Sequence, residues 1–150
     1  MKNVNSTVDI HVRLLAIIGV DIKWEREHRI RALEVNGKSR ALKDISDLQE
    51  QHPKDYRQMM DTLRMAAEQR RVLNTSRVRR GRGKVCRDVY AMKGGQARMF
   101  FFYTPDEEEI VVCTHTYWKA KPSTKEQNEA FGVAAKMRQL YLNGVRQHTE

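Results

Sequence analysis

Residues 84–121, KVCRDVYAMKGGQARMFFFYTPDEEEIVVCTHTYWKAK, constrain the fold more than any other stretch of the chain. Three short runs rich in Val, Phe, Tyr and Thr are separated by a Gly-Gly pair and by an acidic TPDEEE loop. β-Branched and aromatic runs broken by turn residues read as consecutive antiparallel strands. Gly94-Gly95 is expected to supply the positive φ angles of a two-residue hairpin turn. The stretch therefore predicts a three-stranded meander.

The flanking segments supply helices. Residues 28–35 read as a strand with Ile30, Ala32 and Leu33 inward, closed by an Asn36-Gly37 turn. Ser39 is a fitting helix N-cap, and Leu42, Ile45 and Leu48 follow at helical spacing as far as Gln51. Pro53 suits the first turn of a second helix, over 53–71, with Tyr56, Met60, Leu63 and Ala67 on one stripe. Met59, Met60 and Met65 read as gap-filling core rather than a ligand patch. Downstream, Ser123 and Glu126 fit a capping box. Ala130, Val133, Ala134, Met137, Leu140 and Tyr141 then carry the apolar stripe of a C-terminal helix, which Asn143-Gly144 is expected to end. Residues 147–150 read as a frayed tail.

Residues 1–27 are the least readable. Val8, Ile10, Val12 and Leu14 alternate with Asp9, His11 and Arg13 as in a half-buried strand. Leu15–Val20 either extends that strand or opens a short helix. The expected layout is an N-terminal extension over 1–27, an interface element, followed by one domain over 28–146. The fold class is α+β: an antiparallel sheet, made of an N-terminal strand and the meander, packed on a two-helix hairpin with a C-terminal helix.

With 150 residues, one domain with a real core is expected. The net charge of +9 is unevenly spread: Arg70 to Arg87 holds eight Arg or Lys and no Asp or Glu. Such an excess favours an anionic partner, nucleic acid first and a membrane surface second. Cys86 and Cys113 fall within expected strands and outside any metal-ligand spacing, so they read as free thiols and no metal or cofactor is expected. LLAIIGV is too short to span a bilayer, which makes the cytoplasm the expected location.

Alternation across the strands sorts the side chains by face. With Gly94-Gly95 as the turn, Lys93 lies opposite Gln96 and Ala91 opposite Arg98. With Thr104–Glu109 as the second loop, Tyr103 pairs with Ile110, Arg98 with His115 and Gln96 with Tyr117. One face then carries Arg87, Val89, Ala91, Lys93, Arg98, Phe100, Phe102, Val111, Cys113, His115 and Tyr117. The other, with Tyr90, Met92, Met99, Phe101, Ile110 and Val112, is apolar and packs on the helices. Lys93, Arg98, His115 and Tyr117 gather at the glycine-turn end. Metal-free RNA cleavage needs a base for the ribose 2′-hydroxyl, a cation for the phosphorane and an acid for the leaving oxygen. His115 has the pKa for proton transfer, and nearby cations are expected to lower it. Arg98 can grip phosphate bidentately, Tyr117 or Trp118 can stack on a base, and Lys119 can hold the backbone. From the residues alone the reading stops at a basic RNA-binding domain, with nuclease chemistry and an ordinary structural surface both open.

The order DVYAMK, QARMFFFY, THTYWKAK and STKEQNEA resembles the RelE/ParE superfamily of toxins from toxin–antitoxin pairs, its HigB-like and phage-derived members most closely. In such toxins a strand ends Glu-Leu-Arg, a second holds an arginine before aromatics, and a third reads like His-Gly-Phe-x-Lys-Lys. Lys93 stands where the first arginine would be, Arg98 matches the second, and His115, Tyr117 and Lys119 match the third. Thr116 replaces the usual glycine, and Ala120 interrupts the paired lysines. The resemblance covers about three quarters of the chain and implies a ribosome-dependent mRNA endoribonuclease toxin, acting at the A site without metal and held by a cognate antitoxin. The candidate catalytic set is Arg98, His115, Lys93 and Tyr117. The candidate RNA-binding set is Arg77, Arg79, Arg80, Arg82, Lys84, Arg87, Trp118, Lys119 and Lys121. A ParE-like gyrase inhibitor and a non-catalytic RNA- or protein-binding relative are the alternatives.

Overall fold

A computed structural model of the chain describes residues 10–69, 77–105, 110–121 and 123–149. The fold is α+β, built on one six-stranded sheet. In chain order the elements are β1 (Val12–Ala16), a 3-10 turn (Ile22–Trp24), β2 (Arg29–Val35), α1 (Arg40–Gln51), α2 (Pro53–Glu68), β3 (Val78–Arg80), the short α3 (Gly83–Cys86), β4 (Tyr90–Gly94), β5 (Ala97–Tyr103), β6 (Ile110–Trp118) and α4 (Thr124–Thr149). The sheet order is β1-β2-β6-β5-β4-β3. Every pairing is antiparallel except β2 with β6, which run parallel from Arg29 opposite Ile110 to Ala32 opposite Cys113. The expected purely antiparallel sheet is therefore corrected to a mixed one. The parallel pair joins segments about eighty residues apart, so no local turn signal announces it.

Both faces of the sheet are covered. Ile30, Ala32, Met92, Met99, Phe101, Val111 and Cys113 pack beneath α1 and α2 with Ile45, Leu48, Met59 and Leu63. Leu33, Ala91, Phe100, Phe102 and Val112 pack beneath α4 with Ala130, Phe131 and Ala134. This is why Met99–Phe102 reads as a continuous apolar run: a strand covered on both sides has no solvent face. Burying each phenylalanine contributes about 1.5–3 kcal/mol.

The local signals act as expected at several ends. Ser39 Oγ accepts from the Leu42 amide at 3.3 Å, and Ser123 Oγ accepts from the Glu126 amide at 3.1 Å. Pro53 opens α2, and Met59 is fully buried with Met60 and Met65 packed against it. Other ends differ. α2 stops at Glu68, and residues 70 and 71 of its expected span lie outside the described residues. α4 runs through Asn143-Gly144 to Thr149, because Gly144 serves contact rather than termination: a Cβ there would sit 2.7 Å from Val12 Cγ2. Cys86 ends α3 instead of lying in a strand, whereas Cys113 is buried in β6. Val8 lies outside the described residues, but Val12 and Leu14 belong to β1, which joins the sheet through β2. Among the described residues no helix is long and apolar enough to cross a membrane.

The β4–β5 turn differs in one respect. Gly94 pairs with Ala97, so the turn residues are Gly95 and Gln96, and of the two glycines Gly95 alone has positive φ, +60°. Gly94 is needed for a different reason. A Cβ there would lie 2.4 Å from Met59 Cα, so α2 crosses directly over the strand end.

Candidate functional site

Two registers decide which side chains meet. Moving a two-residue turn by one position shifts the pairing by two, which leaves each side chain on its face. Lys93 consequently lies opposite Arg98, and Ala91 opposite Phe100. Between β5 and β6, Arg98 faces Tyr117, Phe100 faces His115, Phe101 faces Cys113 and Tyr103 faces Val111. The register breaks between Phe100 and Phe101, where Thr114 is an extra residue on β6. The Tyr103 pairing is one residue off the expected register, and the bulge adds a second. The two displacements restore the expected face for His115 and Tyr117. Before the bulge the first displacement acts alone, and it puts Val111 and Cys113 on the α1/α2 face and Val112 on the α4 face with Ile110 packed against that cluster.

Lys93, Arg98 and Tyr117 thus form a row across β4, β5 and β6, with Ala91, Phe100 and His115 in the next row. β3 extends the grid, since Arg79 faces Ala91 and the Arg77 carbonyl accepts from the Lys93 amide at 2.7 Å. Arg77, Arg79, Lys93 and Arg98 line a groove of about 300 Å3 with Phe100, Gln127 and Phe131. No carboxylate side chain lines it among the described residues. Arg98 is half-buried, and its Nη1 donates to the carbonyls of Gly95 at 3.2 Å and Ala97 at 3.1 Å. Burial first, and Arg79 second, lower its pKa from the ordinary value. It stays charged at neutral pH, so the groove presents a concentrated positive potential with an oriented fork at its floor.

A separate cavity of about 240 Å3 is lined by Arg40, His115, Thr116, Tyr117, Glu126, Glu129, Ala130 and Val133. His115 is 2% exposed and stacks on Phe100 with centroids 4.7 Å apart. Its pKa falls from 6.5 to about 4, through burial first and Arg40 second. The direction matches the expectation from nearby cations, but desolvation is the main cause. His115 Nε2 and the Tyr117 hydroxyl are buried without a hydrogen-bond partner among the described residues. Both residues line the cavity, which is large enough to admit water that can pair with these atoms.

The remaining candidates are dispersed. Arg80 lies over Tyr90, 5.8 Å from the ring centroid, and its Nε donates to the Arg87 carbonyl. Arg82, Lys84 and Arg87 are exposed around α3, and Lys121 is exposed beyond β6. Lys119 pairs with Glu126 at 2.9 Å. Trp118 packs toward α1 and α2, stacked on His52 at 3.6 Å and donating from Nε1 to Asp55 Oδ2 at 2.7 Å. One face of its ring is therefore occupied by His52.

Sequence reasoning missed Arg40, Gln127, Phe131 and Thr114. The first three arrive from helices distant in sequence, with no local motif. Thr114 had a faint signal as a polar residue inside an apolar strand. No family model matches the chain, and a search of curated proteins finds no match.

Proposed function

We propose that the protein is an RNA-directed toxin of the RelE-like type, an endoribonuclease that cuts mRNA on the ribosome. The observation that carries this reading is the groove of Arg77, Arg79, Lys93 and Arg98, which no carboxylate lines among the described residues, with Tyr117 and His115 opposite Arg98 and Phe100 on the neighbouring strand. The groove suits a phosphodiester backbone, with Arg98 placed to stabilise the charge of the phosphorane. In the reaction the ribose 2′-oxygen attacks phosphorus and the bond to the 5′-oxygen breaks. His115 Nε2 takes the 2′-hydroxyl proton, and the Tyr117 hydroxyl gives one to the leaving oxygen. The products are a 2′,3′-cyclic phosphate and a 5′-hydroxyl. A cognate antitoxin would complete the pair.

Binding without cleavage is the second reading, and the burial of His115 favours it. One experiment separates them: induced expression of the wild type and of Arg98→Ala, with growth, mRNA 5′ ends and ribosome association followed together. New 5′-hydroxyl ends and arrested growth, both lost in Arg98→Ala, support cleavage. Ribosome association with intact mRNA favours binding alone. A DNA-damage response with intact mRNA and no ribosome association moves the reading to gyrase inhibition. Equal growth and intact mRNA in both strains, without association, sinks the proposal.

A further inference from the structure

Thr114 has no opposite number on β5, because Cys113 faces Phe101 and His115 faces Phe100. A bulge takes one residue out of the ladder and re-aims its side chain. Here it brings the Thr114 hydroxyl to the Phe100 carbonyl at 3.2 Å and to His115 Nδ1 at 3.1 Å, all in buried surroundings. The hydroxyl has one hydrogen, and the carbonyl can only accept. The hydroxyl is placed to donate that hydrogen to the Phe100 carbonyl. The contact with Nδ1 is then a hydrogen bond only when Nδ1 carries a hydrogen of its own. A neutral imidazole holds one N–H, so Nε2 is left bare. Nε2 is the ring atom that finds no partner among the described residues.

We propose that Thr114 is a positioning residue, whose hydroxyl holds His115 in the Nδ1–H form and leaves Nε2 as a bare acceptor for the substrate's proton. The use of that acceptor rests on the endoribonuclease reading, whereas the tautomer does not. A base that carried its hydrogen on Nε2 would present a donor where an acceptor is needed. The hydrogen-bonded partner of the distal ring nitrogen is a recurrent way of setting which nitrogen reacts.

The test is two-bond 1H–15N correlation of the imidazole in the full chain for wild type, Thr114→Val and Thr114→Ser. Cleavage in a translating extract is measured alongside, and backbone amide spectra report folding. The wild type and Thr114→Ser should show a protonated-type Nδ1 and a bare Nε2. Thr114→Val should lose that preference and cut about tenfold more slowly, the low end of what loss of a histidine-orienting partner costs. A wild-type spectrum with hydrogen on Nε2 overturns the proposal, even when Thr114→Val fails to fold. An unchanged His115 spectrum in a folded Thr114→Val overturns it as well. The expected spectra with no cleavage by any form uphold the tautomer assignment and reject the endoribonuclease reading, so the two failures are distinguishable.

Discussion

On the α1/α2 side of the sheet, polar groups find partners: Trp118 Nε1 donates to Asp55, the Thr62 hydroxyl to the Lys93 carbonyl and the Thr116 amide to Asp44. On the α4 side, His115 Nε2 and the Tyr117 hydroxyl are buried without partners among the described residues. An unpaired buried polar atom costs about 1–3 kcal/mol. Both sides bury an apolar core, but the α4 side alone combines it with these two polar atoms and the groove of cations. The Thr116 bond exists because β2 pairs with β6 only as far as Cys113. Beyond that point α1 supplies Asp44 to the exposed strand edge, and burial raises the Asp44 pKa while the Thr116 amide restrains the rise.

The largest expected break in this contrast comes from acid. His115 has a pKa of about 4 in the folded chain against 6.5 when exposed. The unfolded state therefore binds a proton first as pH falls. The stability that His115 preserves is intact above pH 6.5, is lost progressively from there to about pH 4, and changes no further below it. The loss is about 3 kcal/mol at 1.36 kcal/mol per unit. His115→Phe keeps a ring against Phe100 but cannot titrate. Denaturant unfolding at pH 7, 5.5 and 4 should show a shallower decline for the variant. Parallel declines would mean that the wild-type ring is open to water.

Next in size is Gly94→Ala, which tests the other side. A Cβ at that position meets Met59 Cα at 2.4 Å and Met59 N at 2.6 Å, and a helix backbone cannot rotate away. The expected loss is about 2–3 kcal/mol, as overpacking commonly costs, measured by urea midpoint. A neutral result would show that α2 can lift from the strand end. Trp118→Phe should follow at about 1.5 kcal/mol, since it removes the indole donor to Asp55 Oδ2 while the stack on His52 survives. A pH 7 unfolding curve indistinguishable from wild type would show that the bond to Asp55 adds nothing to stability.

The hairpin of helices, the Ser39 and Ser123 caps and the strands of the meander were legible because each depends on residues a few positions apart. The face shared by Lys93, Arg98, His115 and Tyr117 was legible for a subtler reason. The turn at Gly95-Gln96 moved the register by two, and the Thr114 bulge with a one-residue change at the second loop summed to two, so parity survived at that end. At Val111 and Cys113 one displacement acts alone, and those residues changed sides. What stayed hidden was non-local: the parallel β2–β6 pair, the arrival of Arg40 from α1 beside His115, and the side chosen by Trp118 at the strand end. Periodicity carries no information on any of these, because each is decided by which distant element covers the strand.

The smallest effect has the opposite sign and compares the two sides with one kind of substitution. Gly132 lies within α4, has an ordinary helical φ, and a Cβ there meets nothing within 4 Å. A glycine inside a helix gives up more conformational freedom on folding than alanine does. Gly132→Ala should therefore stabilise the protein by about 1 kcal/mol, where Gly94→Ala destabilises it. Urea midpoints of the two variants on either side of wild type are the expected result. Destabilisation by Gly132→Ala would mean that α4 sits closer to its surroundings at Gly132 than 4 Å allows.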